Sequence, residues 1–222
     1  RVKLFLEGLD PDFIHQYSKW VYYFSEGAKN ELLNAFETVE PSHRVLASYL
    51  EGADGSRGQH SSDFMNRVQY MDLKTFLVDN ILEYTDRTSM AVSLEARVPF
   101  LDHRLVELSQ AMPYRYKLRN GTSKAIVRQT FRDLIPPENL HIPKKGFCPP
   151  LGLWMRETLD RYFTEHMSSE YIRREGIFNY DAIQRLRAQH QLGKRDNSME
   201  LFGIVMFDAW YRRYVIESPD DH

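Results

Sequence analysis

Apolar residues recur every three or four positions along most of the chain, as they do on one face of an α-helix. The first such face follows Asp10 and Pro11, which suit the cap and the first position of a helix. Further helices are predicted after Pro41 and over residues 64–77. The glycine-rich stretch 52–58 between them is predicted to be a loop.

The second half of the chain continues this pattern. Asp102 suits the cap of a short helix that ends before Pro113, and the next helix is predicted to begin at Thr122 or Ser123 and to stop at Pro136. Two last helices are predicted over residues 181–190 and 197–213. Asn197 and Glu200 lie at the spacing of a capping box.

The predicted fold class is therefore mainly α. Strands do not alternate with helices along the chain, so a complete parallel sheet is not encoded here. Residues 1–222 are expected to form one mostly helical domain, and the 13 Phe, 13 Tyr and 3 Trp supply material for its core.

Composition excludes several function classes. The net charge is −2 and no basic run is present, which argues against nucleic-acid binding. The longest obvious apolar run, residues 201–207, is far shorter than the ~20 residues of a membrane helix. Cys148 is the only cysteine, so an internal disulfide and a cysteine-based zinc site are excluded, and a cytoplasmic location is expected.

The segment Thr85–Asp102 departs from the helical pattern. Pro99 favours an extended conformation at Val98. If residues 93–98 are extended, alternate side chains face opposite ways. The polar row is then Ser93, Glu95 and Arg97, and the apolar row, expected to be buried, is Leu94, Ala96 and Val98. The polar row suits the lining of a site, but Glu95 and Arg97 could equally pair on the surface or cap a helix.

A second irregular segment, residues 142–154, contains three prolines and two glycines. Lys144 and Lys145 precede Gly146, an arrangement that suits an anion site, although a solvated surface loop explains it equally well. Lys124 is predicted to lie in the first turn of its helix, where a bound anion would offset its unfavourable interaction with the helix dipole. The eight histidines show no metal-binding spacing, and no metal ligand is predicted.

Together, these motifs resemble the asparagine synthetase domain of glutamine-hydrolysing enzymes. The resemblance covers about residues 63–165. Its elements are Asp86-Arg87-Thr88-Ser89-Met90, Ser93-Leu94-Glu95-Ala96-Arg97-Val98-Pro99-Phe100-Leu101-Asp102, Gly121-x-x-Lys124, Leu134-Ile135-Pro136 and Lys144-Lys145-Gly146-Phe147-x-x-Pro150.

The resemblance implies the helical C-terminal portion of an α/β ATP-pyrophosphatase (adenine nucleotide α-hydrolase-like) synthetase domain. Such a domain uses ATP and Mg²⁺ to adenylate the β-carboxylate of aspartate. Ammonia, released from glutamine by an N-terminal glutaminase domain, then displaces AMP and yields asparagine. A homodimer is compatible with this assignment.

The resemblance also implies roles for six residues. Ser93 and Leu94 match positions that contact ATP, and Arg97 and Lys124 are grouped with them as nucleotide-binding residues. Glu95 matches a glutamate needed to form the adenylate. Lys145 matches a lysine that neutralises phosphate or the developing oxyanion.

Three parts of the family are expected to precede Arg1: the Ser-Gly-Gly-x-Asp-Ser pyrophosphate loop, a Gly-x-x-Asp-Glu segment that helps to hold magnesium, and the glutaminase domain. The chain alone is therefore expected to be inactive, with its magnesium ligands elsewhere. Two alternatives remain open. One is a related synthetase that acts on another carboxylate, and the other is a non-catalytic helical scaffold.

Overall fold

A computed structural model describes residues 9–51, 64–140, 142 and 149–217. The chain divides into two compact units. Unit 1 comprises Arg1–Val45 and Gly146–His222, and unit 2 comprises Leu46–Lys145. Unit 1 is thus built from both ends of the chain.

The α-helices are numbered here in chain order. They are α1 Phe13–Val21, α2 Glu26–Leu32, α3 Ser42–Glu51, α4 Phe64–Lys74, α5 Glu83–Met90, α6 His103–Ala111, α7 Tyr114–Lys117, α8 Ala125–Thr130, α9 Pro137–Leu140, α10 Leu151–Trp154, α11 Asp160–His166, α12 Ser169–Glu175, α13 Tyr180–Gln191 and α14 Ser198–Tyr211. Short 3-10 helices span Phe36–Thr38 and Pro99–Leu101, and π-helices span Leu77–Leu82 and Arg212–Ile216.

The strands β1 (Leu118–Arg119) and β2 (Thr122–Ser123) pair antiparallel, with Leu118 opposite Ser123 and Arg119 opposite Thr122. They are the only strand pair within the described ranges. The mainly α fold class is thereby confirmed, while the ATP-pyrophosphatase fold stays a prediction.

Unit 1 has a continuous apolar core, formed mainly by α11 to α14. Its buried members are Leu32, Met155, Phe163, Met167, Tyr171, Ile172, Phe178, Ala182, Ile183, Leu201, Ile204 and Val205. The N-terminal segment joins this core through main-chain hydrogen bonds: Asn34 N donates to Ile177 O (3.0 Å), and Asn179 N donates to Leu32 O (2.7 Å).

Unit 2 has little core of its own. Among its described residues only Asn66 and Met71 are buried, whereas Phe100 is 74 % exposed and Leu134 is 80 % exposed. The amide of Asn66 compensates by joining three elements, since its Nδ2 donates to Met112 O (2.9 Å) and its Oδ1 accepts from Lys117 Nζ (2.8 Å).

The structure corrects one predicted helix cap and confirms another. Asp12, rather than Asp10, caps the first helix, because its carboxylate accepts the amide of His15 at 2.8 Å. Asp102 caps α6 as predicted, by accepting the amide of Arg104 at 2.9 Å. The stretch 52–58 lies outside the described residues.

The predicted capping box at Asn197 is wrong. The Asn197 side chain turns toward α13 and donates to Leu186 O at 2.9 Å. Glu200 instead accepts from Arg195 at 3.1 Å. The helices themselves, α13 and α14, lie where the sequence predicts them to within a few residues.

The helix predicted from Thr122 or Ser123 to Pro136 is also shorter than expected. Thr122 and Ser123 belong to the β1–β2 hairpin, and α8 occupies only Ala125–Thr130. The chain leaves the helical conformation at Phe131, where ψ is 16°.

Candidate active site

The polar row predicted at residues 93–97 lies immediately after α5. This helix, which extends through Met90, ends in a turn in which Leu94 N donates to Ser89 O and Ser93 N donates to Met90 O, both at 2.9 Å. These two bonds are those of a Schellman motif, which needs a left-handed residue and usually takes glycine there. Ser93 occupies that position with φ 58°.

A left-handed conformation costs an L-residue about 1–2 kcal/mol. Within the described ranges it is adopted by three non-glycine residues, Ser93, Asn120 and Lys124. Asn120 precedes Gly121 in the hairpin turn, where positive φ at both positions is ordinary. The other two are site residues predicted from sequence, and backbone strain of this kind concentrates at functional sites.

Glu95 and Arg97 form an ion pair of 2.6 Å between Oε1 and Nη2, and both side chains are largely exposed, by 68 % and 83 %. Solvent screening limits such a pair to about 0–1 kcal/mol. This geometry is the surface pairing that the sequence left open. Their proposed contacts with substrate remain a prediction.

The expected burial of the apolar row is wrong. Leu94 is 63 % exposed and Val98 is 46 % exposed, and Ala96 is exposed as well. The left-handed turn at Ser93 prevents a regular extended strand from starting there, although Val98 itself is extended before Pro99.

Lys124 lies one position earlier relative to its helix than predicted. It is the N-cap of α8, with φ 56° and ψ 34°, and not a member of the first turn. No hydrogen bond or ion pair joins its side chain to the Ser93–Arg97 turn within the described part of unit 2. The structure therefore pairs Glu95 with Arg97, and Lys124 takes no part in that pair.

The lysines of the second irregular segment lie outside the described residues. Lys144, Lys145 and Cys148 fall within 143–148, while Ile142 is half exposed and Pro149 and Pro150 lead into α10. The role predicted for Lys145 stays a prediction.

A groove of about 440 Å³ in unit 2 was not predicted from the sequence. The 3-10 helix directly after the polar row supplies Phe100 and Leu101 to its wall, and α4 supplies Gln69 and Asp72. Its other lining residues are mostly apolar, and its volume is typical of small-molecule sites. The sequence signal that could have indicated this groove is the pair of apolar helix faces at residues 64–77 and 105–108, because the groove lies between them.

Exposed Lys124 and Arg97 and the hydroxyl of Ser93 suit an anionic ligand such as a nucleotide. In the described ranges, no three His, Cys, Asp or Glu side chains cluster so as to hold a metal ion. The helices described in the structure include none long and apolar enough to span a bilayer.

Comparison with known proteins gives a consistent family. The family described as asparagine synthase matches residues 14–212. Asparagine synthetase [glutamine-hydrolyzing] 1 of Bacillus subtilis (strain 168) is 28 % identical over 203 residues, which cover 87 % of this chain and 30 % of that protein. A putative asparagine synthetase [glutamine-hydrolyzing] of Mycobacterium bovis is 32 % identical over 158 residues, which cover 70 % of this chain and 24 % of that protein.

Amidase chry2 of Gibberella zeae is 28 % identical over 127 residues, which cover 54 % of this chain and 19 % of that protein. No solved structure matches the chain. The chain spans less than a third of the length of these curated relatives.

Proposed function

Because the chain belongs to the asparagine synthase family, we propose that it forms part of an ATP-dependent synthetase that makes asparagine from aspartate. The match over residues 14–212 carries this proposal, since it includes parts of both units and every motif of the resemblance. The partners proposed with it are aspartate, ATP and a glutaminase domain that supplies ammonia.

The proposed reaction has two balanced steps. An oxygen of the aspartate β-carboxylate attacks the α-phosphorus of ATP, and pyrophosphate leaves. Ammonia then attacks the activated acyl carbon, AMP leaves with the electron pair of the broken C–O bond, and the nitrogen loses one proton to give the neutral amide. Both steps develop negative charge on oxygen, which fixed cations and hydrogen-bond donors stabilise. Magnesium would supply further charge neutralisation, with ligands outside the residues described here.

Within this scheme, Ser93 and Leu94 contact the nucleotide and Glu95 acts during adenylate formation. Arg97, proposed to bind the nucleotide as well, lies 2.6 Å from the Glu95 carboxylate in the exposed turn. Lys124 and Lys145 contribute positive charge toward phosphate oxygens. These roles rest on the match of each residue to the family's motif.

Replacement of Glu95 by glutamine tests the assignment. In the natural polypeptide, Glu95→Gln should lower ATP–pyrophosphate exchange by about 10²-fold or more and leave glutamine hydrolysis unchanged. Glu83→Gln is the matched control, because Glu83 is also exposed (57 %) and paired with an arginine, Arg87, at 2.8 Å. Normal exchange in the Glu95 variant would refute the role.

The two lysines of the second segment offer a paired test. Lys145→Ala should lower the kcat of synthesis more than it raises the KM for ATP, because the lysine is proposed to act on charge in the transition state. Lys144→Ala should do much less. Equal effects would show that the segment is a general electrostatic attractor.

The isolated chain is proposed to bind ATP weakly, because the phosphate loop of the family is absent from its sequence. Titration calorimetry with ATP and magnesium should give little heat. Micromolar, magnesium-dependent binding would place the nucleotide site within these 222 residues.

Some of the similar proteins are named amidases and not asparagine synthetases. A second candidate, a synthetase of the same type that acts on another carboxylate, is therefore tested as well. A panel of carboxylic acids in the exchange assay separates the two. Exchange that depends on aspartate supports asparagine synthesis, whereas exchange that requires another acid supports the second candidate. A lack of exchange with every acid would favour a non-catalytic scaffold.

A further inference from the structure

One imidazole joins three segments of unit 1. His190 lies in the last turn of α13 and is completely buried. Its Nε2 is 2.9 Å from the carbonyl oxygen of Gly152 in α10. Its Nδ1 accepts the amide of Asn197, the N-cap of α14, at 3.3 Å.

These contacts select one protonation state. A carbonyl oxygen only accepts, so Nε2 must carry a hydrogen. A backbone amide only donates, so Nδ1 must present its lone pair. The neutral tautomer protonated at Nε2 satisfies both contacts, and neither the other tautomer nor the imidazolium does so.

A second arrangement lies within reach of the ring. Asp196 Oδ1 is 3.5 Å from Nδ1, beyond the 2.7–2.9 Å of a charge-assisted hydrogen bond, and it accepts the amide of Ser198 at 3.0 Å. The Asp196 side chain is 70 % exposed. The hydrogen bond from Ser198 lowers the pKa of Asp196 below its usual value, so this carboxylate is ionised wherever an imidazole gains its second proton.

The charged groups that face His190 from the elements packed against it are few. Asp196 approaches from the turn between α13 and α14. Arg156, which follows α10, donates from Nε to the backbone carbonyl of His190 at 3.2 Å. Within the described part of unit 1, Asp196 is the charged side chain beside a ring nitrogen, so it is the group that a second ring proton would engage.

We propose that His190 is a proton-dependent latch on the first turn of α14. The neutral ring holds both Gly152 and Asn197. The protonated ring keeps Gly152, because Nε2–H is present in both states, but it releases the amide of Asn197 and donates from Nδ1 to Asp196. Acid therefore loosens the start of α14 and leaves the attachment of α10 in place.

Nitrogen NMR of histidine-labelled protein tests the neutral state. His190 should show the Nε2–H tautomer at neutral pH, and an Nδ1–H tautomer or an imidazolium at that pH would overturn the proposal. The acid state is tested by amide exchange corrected for intrinsic pH effects. As the pH is lowered from 8 to 5, protection of the Asn197 amide should fall by about tenfold relative to that of Met155, whose amide bonds to Leu151 O of α10 at 2.8 Å.

Two variants keep the proposal falsifiable even if substitution of the buried ring prevents folding. Asp196→Asn preserves an oxygen for the Ser198 amide but removes the charge, so the Asn197 transition should move to lower pH. Asp181→Asn is the control: it removes one exposed carboxylate from the first turn of the same helix, nine residues (about 13 Å) from His190. An unchanged midpoint in Asp196→Asn, or an equal shift in both variants, would overturn the latch.

Discussion

Replacement of Asp208 by asparagine should lower the free energy of unfolding of unit 1 by about 1.5–3 kcal/mol, the value of a hydrogen bond to a charged group. Asp208 is 2 % exposed and lies in α14. Its carboxylate accepts from Tyr171 Oη at 2.8 Å, Tyr162 Oη at 3.0 Å and Arg212 Nε at 2.8 Å. Asparagine keeps one oxygen of the two, so at least one of these donors loses its acceptor.

Alanine at the same position should lower the free energy of unfolding by more than asparagine does. Asp208→Ala removes both oxygens and leaves the Arg212 guanidinium, whose side chain is only 25 % exposed, without its carboxylate. Breaking a buried ion pair on one side costs about 3–5 kcal/mol. The free energy of unfolding should therefore be lowest for Asp208→Ala, intermediate for Asp208→Asn and highest for the unsubstituted chain.

Tryptophan fluorescence during urea unfolding reports on unit 1 selectively, because Trp20, Trp154 and Trp210 all fall within its ranges. Glu40→Gln is the control, since Glu40 pairs with Arg44 at 3.9 Å on the surface of the same unit and should contribute under about 1 kcal/mol. If Asp208→Asn lowers the unfolding free energy no more than Glu40→Gln at equal denaturant slope, the buried carboxylate does not stabilise unit 1 as argued.

Three further predictions concern pH and backbone strain. Burial and the neighbouring Asp208 raise the pKa of Tyr162 to about 12. The protonated phenol therefore stabilises the fold below pH ~10, and this stabilisation is lost as the pH rises toward 12. Tyr162→Phe should flatten the resulting alkaline decline in Tm. The side chain of Arg104 lowers the pKa of Asp102 to about 2. The ionised carboxylate of Asp102 therefore stabilises the fold above pH ~4, and this stabilisation is lost as the pH falls toward 2. In Asp102→Asn, amide exchange in α6 should not show this acid dependence. Ser93→Gly should raise the unfolding free energy by up to about 1 kcal/mol in thermal melts followed by circular dichroism, and a decrease would contradict the strain assigned to Ser93.

Local chemistry explains where sequence-based prediction of the fold succeeded. The cap at Asp102 and the helices α13 and α14 depend on residues within a turn or two of one another, so the pattern contained the information. The capping box predicted at Asn197 was wrong because the side-chain amide of this residue donates to the carbonyl oxygen of Leu186 on another helix. The prediction of a long helix from Thr122 or Ser123 was wrong because these two residues pair with β1 and therefore form a strand.

The candidate site shows the same division. The motif located the turn at Ser93–Arg97, and the mutual pairing of Glu95 and Arg97 follows from their spacing. The exposure of Leu94 could not be predicted, because alternation along a segment does not reveal whether another layer covers it. The left-handed conformation of Ser93 was missed for a related reason, since glycine is the usual signal for it.

The discontinuity of unit 1 has a consequence for how the protein folds. Asn34 contacts Gly176 across 142 positions of sequence, so the N-terminal helices must wait during synthesis until the last third of the chain emerges. The loop closed by this contact contains the whole of unit 2, and the entropic cost of closing a loop grows slowly, by ~0.6 kcal/mol for each doubling of its length. Unit 2 can therefore be lengthened or shortened at little cost to the core of unit 1, whereas an insertion between Leu201 and Val205 of α14 would interrupt the core itself.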